Sequence, residues 1–154
     1  MKKIIRTILL ITLSLFSVAT FAHGDHDHPT PSAHLTFKKG SIHIHANFIK
    51  NPVAGEEAFL KMETRDGKTH SLIDISDDLD VELWMTEMNH GSSPSQVERV
   101  VDANGNPVTG TFLVRSLYFT MGGKWDVRVK LTSPEGASEQ KSFSVQINGS
   151  GHSH

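Results

Sequence analysis

Between Trp84 and Gly91 the chain reads WMTEMNHG, which sets two thioethers, Met85 and Met88, and one imidazole, His90, within six residues. Thioether sulfur is soft and has no proton to lose, so it selects Cu(I) over zinc, calcium or magnesium, whereas imidazole accepts copper in either oxidation state. A second stretch, Phe119-Thr120-Met121-Gly122-Gly123, brings Met121 to the same place if both loops lie at one end of the fold. Trp84 offers an aromatic wall for a cation. Taken singly, a methionine near a strand end fills gaps in a core, and a histidine before glycine is an ordinary polar loop residue. It is the grouping of Met85, Met88 and His90 that points to a metal.

Histidine supplies the other candidates: the chain has ten, all of them after residue 22. His23, His26 and His28 alternate with Asp25 and Asp27, and imidazoles beside carboxylates suit Zn(II), Cu(II) or Ni(II) without a preformed geometry. With cleavage after Ala22, the new amine and the His23 ring chelate Cu(II) together, the one feature in which the chain resembles CopC-like copper proteins. The alternative is a solvated arm that binds metal adventitiously, as histidine-rich tracts do. His152 and His154 close the chain in a similar composition. His43 and His45 point to one face of a strand, about 7 Å apart, within reach of a shared ion if His34 approaches; otherwise they are solvent-facing strand residues. His70 has no evident partner. Asp77, Asp78 and Asp80 lack the spacing and terminal glutamate of a calcium loop and read as a charged turn.

The elements that must position these groups are strands. Ile42, Ile44, Ala46 and Phe48 alternate with His43, His45 and Asn47, and Trp125, Val127, Val129 and Leu131 alternate with Asp126, Arg128 and Lys130, the period of a sheet with one wet face. Further short segments lie at 58–63, 81–85, 97–101, 111–117 and 142–147. Turn signals at Asp66-Gly67, Asn104-Gly105 and Pro134-Glu135-Gly136 punctuate an antiparallel meander. No stretch keeps helical spacing. About seven short strands in this length predict an all-β fold, an immunoglobulin-like antiparallel β-sandwich, with a small barrel as the competing architecture.

The first residues carry Lys2, Lys3 and Arg6, an apolar run from Ile8 to Ala19, and Thr20-Phe21-Ala22, the pattern of a cleavable secretory signal. The run is shorter than the roughly 20 residues that span a bilayer, so the expectation is cleavage after Ala22 and a periplasmic protein, not an anchored one. The expected organisation is a signal over 1–22, a flexible histidine-rich arm over 23–34, one sandwich domain over 35–148 and a flexible tail over 149–154. With no cysteine, neither a lipid-modified cysteine nor a disulfide is available, so stability must come from the core. A net charge of −2 without a basic stripe gives a nucleic-acid partner no support. No cysteine nucleophile, Gly-x-Ser-x-Gly elbow, phosphate loop or His-Glu-x-x-His helix is present, so no enzyme is expected.

WMTEMNHGSSP followed by GTFLVRSLYFTMGGKWDVRV resembles the signature of YtkA-like and FixH-like extracytoplasmic domains, over roughly residues 40 to 148. The residues that carry it are Trp84, Met85, Met88, His90, Gly91, Met121, Gly122 and Trp125. The resemblance implies an immunoglobulin-like sandwich and a role in copper handling or in assembly of copper-containing oxidases. FixH-like members are held by a transmembrane helix; this chain departs from them in its cleavable leader and added histidine arm. The resulting expectation is a copper chaperone or buffer. It holds Cu(I) at Met85, Met88, His90 and Met121, captures Cu(II) or Zn(II) on the arm, and hands copper to an efflux component or an oxidase assembly factor. Two alternatives stay open: a non-catalytic module that docks on a transporter or oxidase subunit, and a zinc buffer that uses the arm alone.

Overall fold

The computed structural model describes residues 29–149. The predicted signal, the arm histidines His23, His26 and His28, and the tail histidines His152 and His154 lie outside the described residues. Among the described residues, no helix is long and apolar enough to cross a membrane.

The described chain folds into two antiparallel sheets. Its strands are β1 (Ser32–Phe37), β2 (Ile42–Phe48), β3 (Glu57–Asp66), β4 (Asp78–Met85), β5 (His90–Gly91), β6 (Gln96–Val101), β7 (Pro107–Tyr118), β8 (Gly123–Thr132) and β9 (Ser138–Ile147). One sheet has the order β1-β2-β3-β7-β6 and the other β5-β4-β8-β9. This is the immunoglobulin-like sandwich expected from the strand periodicity. β2, β3, β7 and β6 stand where an immunoglobulin domain has A, B, E and D, and β5, β4, β8 and β9 where it has C′, C, F and G. β1 is an added edge strand.

Each of the seven segments with strand periodicity is a strand, and β1 and β5 are additional. Ser32, Ala33 and His34, assigned to the arm from sequence, belong to β1, whose Leu35 and Phe37 face the core. The chain is also not a simple meander. Asp102–Asn106 and Ser133–Ala137 close hairpins through Gly105 and Gly136, both at positive φ. Asp66-Gly67 instead leads out of β3 towards β4 in the opposite sheet. There the Asp66 carboxylate accepts hydrogen bonds from the backbone N–H groups of Lys68 and Thr69 and so caps a longer loop.

Alternation decides which side chains enter the interior. Ile42, Ile44, Ala46 and Phe48 of β2 and Leu60 and Met62 of β3 meet Val81, Leu83 and Met85 of β4 and Trp125, Val127, Val129 and Leu131 of β8, all buried. Trp125 is fully buried at the end of this core, with Phe119 edge-on at 5.7 Å between ring centroids. Its indole N–H donates to the Met121 carbonyl at 3.0 Å, so the one polar atom of the ring is satisfied while the rest is removed from water.

Truncating so large a buried ring leaves a cavity that neighbouring strands cannot fill. Trp125→Ala should therefore lower the unfolding free energy by about 3–5 kcal/mol, read as a shifted midpoint at unchanged slope in urea; a loss below about 1 kcal/mol would mean that the ring is not a core element.

Candidate functional site

The segment WMTEMNHG turns back on itself. β4 ends at Met85, a 3-10 turn covers Thr86–Met88, and Asn89 takes the left-handed conformation (φ 50°, ψ 44°), which asparagine tolerates better than most residues. The reversal lets His90 and Gly91 pair with Met85 and Trp84 as β5. Gly91 leaves room for the Trp84 ring, which a Cβ would meet at 3.1 Å. The turn is anchored at its start, where the Thr86 hydroxyl donates to Asp126 at 2.8 Å. Ser144 donates to the same carboxylate at 2.8 Å, and these two hydrogen bonds, Ser144 first, hold the Asp126 pKa below the usual aspartate value.

The two methionine-bearing loops do lie at one end of the sandwich. Residues directly opposite in an antiparallel pair share a face, so His90 follows Met85 towards the core edge. There its ring stands edge-on to Trp125, with centroids 5.8 Å apart. The same indole holds the Met121 carbonyl, so Trp125 touches both loops. Ser92 Oγ donates to the Tyr118 carbonyl at 2.7 Å, which ties this end of one sheet to the other, and Gly55 N–H donates to the Phe119 carbonyl at 2.8 Å, which holds the start of the 119–123 loop.

The four candidate donors of the two loops are not equivalent. Met88 is 60% exposed, Met121 41% exposed and His90 half-buried. Met85 is 2% exposed: its position continues the inward series Val81, Leu83, Met85, and its Cε lies where a Cβ on Gly123 would come within 2.8 Å. Met85 is a core residue beneath the loop, and the accessible donors are Met88, His90 and Met121. Trp84 is not an open aromatic wall either, because the Arg128 guanidinium sits over its ring at 4.5 Å. Trp125, which sequence reasoning cited only for its strand and for family resemblance, is the indole that joins the site.

The described chain also enters and leaves at this end. Phe48 N–H donates to the Pro31 carbonyl at 3.1 Å, and Pro29, Pro31, Asn51, Pro52, Gln146 and Asn148 line one shallow cavity. A Cβ on Gly122 would fall 2.6 Å from the Gly149 Cα. The described chain therefore begins, at Pro29, at the end that carries Met88 and Met121.

The remaining histidines form a second group, on the outer face of the larger sheet. His34 pairs with His45 across β1 and β2, and its ring lies 4.5 Å from that of His45 and 4.7 Å from that of His43. His70, without a partner in the sequence reading, packs at 5.3 Å against His43. Burial first, then the charge of His34, holds the His45 pKa below its usual value. Among the described residues, no three His, Asp or Glu side chains converge on one point as they stand. The aspartate run is structural: Asp77 is ion-paired with Lys38 at 2.7 Å, and Asp80 with Lys130 at 3.4 Å. No protein-family model, curated protein or solved structure matches the chain.

The depressed Asp126 pKa fixes a pH dependence. The carboxylate contributes stability above the ordinary aspartate value near 3.8, and that contribution is lost as pH falls through the lower folded value. Below about pH 4 the thermal midpoint of the wild type should thus fall more steeply than that of Asp126→Asn. Parallel curves from circular dichroism at pH 3 to 6 would remove Asp126 as the anchor of the Thr86 turn.

Proposed function

We propose that the protein is a periplasmic metal-binding protein, a copper chaperone or buffer, whose loop site is made by Met88, His90 and Met121. The observation that carries this reading is the placement of two solvent-accessible thioethers and one imidazole on two loops held by a single buried indole. Soft, neutral donors of this kind favour Cu(I) over Zn(II) and the hard divalent ions. Exposure suits transfer: a partner can replace ligands one at a time at an open loop, so the ion passes without release to water. An efflux component or an oxidase assembly factor is a partner of the right kind. The resemblance to YtkA-like and FixH-like domains supports the same reading, since Met88, His90 and Met121 are among the residues that carry it.

One observation favours a second reading. Ile49, Val53 and Tyr118, respectively 60, 42 and 40% exposed, share this end with Met88 and Met121, and adaptable methionine-rich apolar surface also suits a protein contact. In that reading the protein is a docking module for a membrane transporter or oxidase subunit.

The two readings differ in a Cu(I) titration against a chromophoric chelator, on mature chain in which His23, His26 and His28 are replaced by Gln. A copper site predicts one equivalent of Cu(I), weakened by more than about 100-fold in Met88→Leu/His90→Gln/Met121→Leu, a larger loss than removal of a supporting contact. Absence of Cu(I) binding before those substitutions would leave the docking module and the arm-based zinc buffer as the surviving readings. Met85 is kept intact throughout because its replacement would disturb the core.

A further inference from the structure

Away from the loop end, the outer face of the larger sheet gathers four imidazoles that the loop site does not use. We infer that His34, His43 and His45 form a separate site for a borderline divalent cation, Zn(II) or Cu(II), on the face of β1 and β2. The strands fix the triangle. His43 and His45 are two residues apart on β2 and share its outward face, and His34 stands directly opposite His45 and diagonally to His43. A ligating nitrogen lies about 2.0–2.1 Å from Zn(II), so two imidazoles on one ion at angles of 90 to 110° have centroids about 4.5–5.2 Å apart. The His34 ring stands 4.7 Å from His43 and 4.5 Å from His45, within that span.

A second observation concerns the nitrogens themselves. His43 Nδ1 and His45 Nε2 are shielded from solvent and have no hydrogen-bond partner. Buried polar atoms normally have one, and a lone pair with neither water nor donor is what a cation would occupy. The rings now pack edge to face instead of aiming at one point, and ligation needs the His43 and His45 side chains to turn about χ1 as well as χ2. Three imidazoles leave a further position for water or an incoming ligand.

The charged surroundings permit this. Across from His45 and His43, β3 presents Glu63 and Arg65. Arg65 is committed to the Glu63 carboxylate at 2.5 Å and to the His70 carbonyl at 2.9 Å, and Lys61 binds the same carboxylate at 2.7 Å. Glu63 thus offsets part of the two cations. Because the site shares no residue with Met88, His90 and Met121, it stands or falls independently of the proposed copper loop.

Two measurements test it. In the metal-free mature chain with His23, His26 and His28 replaced by Gln, one equivalent of Zn(II) should move the imidazole 15N resonances of His34, His43 and His45 and leave His90 in place; unmoved resonances for the three would overturn the site. In a chain with His23, His26 and His28 replaced by Gln, Zn(II) affinity by competition should drop more than about 100-fold on adding His34→Gln and His45→Gln, beyond the loss from a mere supporting contact. Equal affinity in a variant with unchanged circular dichroism would assign the zinc elsewhere. Cu(I) affinity at the methionine loop should be the same in both chains, which separates failure of this site from failure of the loop.

Discussion

Burial of the Trp125 indole is the contact on which the loop end depends. The ring is withdrawn from water, so its N–H must find a partner, and the partner available is the Met121 carbonyl. That requirement fixes the 119–123 loop against β8, while the edge of the same ring receives His90 from the other loop. One hydrophobic side chain with one polar atom thereby sets the positions of donors that lie more than thirty residues apart in sequence. Gly123 completes the arrangement: at φ 129° and against the Met85 Cε, it leaves no room for a side chain between loop and core.

The two histidine and methionine groups separate by chemistry as well as by place. The loop end offers polarizable sulfur in solvent, on a reversal held by a 3-10 turn and a left-handed asparagine. The sheet face offers imidazole nitrogen in place of sulfur, on strands paired by ladders of hydrogen bonds. Soft donors on an adaptable loop favour a monovalent ion and its exchange, whereas borderline donors on paired strands favour a divalent ion and its retention.

Much of this was legible from the chain, and the remainder was hidden for identifiable reasons. Strands such as β2 and β8 announced themselves by alternation because each has one buried face, and the grouping of Met88 and His90 was visible in a single line of text. The burial of Met85 was also legible: Val81, Leu83 and Met85 recur every second residue, so β4 points the last of them inward like the others. β1 was missed because Leu35 and Phe37 are its only fully buried apolar pair, too few to establish a period. The Asp66-Gly67 turn looks locally like the hairpin turns, since nothing in its residues says that the next strand belongs to the other sheet. The contacts of His34 and His70 depend on pairing and loop path, which no spacing rule contains.

The entry of the described chain at the methionine end sets the kinetics of any capture there. Under the proposed copper reading, a ligand joined to the chain at Pro29 would reach Met88 and Met121 as an intramolecular event, and short flexible links give effective concentrations on the order of millimolar. Histidines that precede Pro29 would then compete for an ion at the loop at a dose independent of how dilute the protein becomes. On that reading, exchange between arm and loop would be first-order and insensitive to protein concentration, while delivery to a second molecule would be second-order and scale with it.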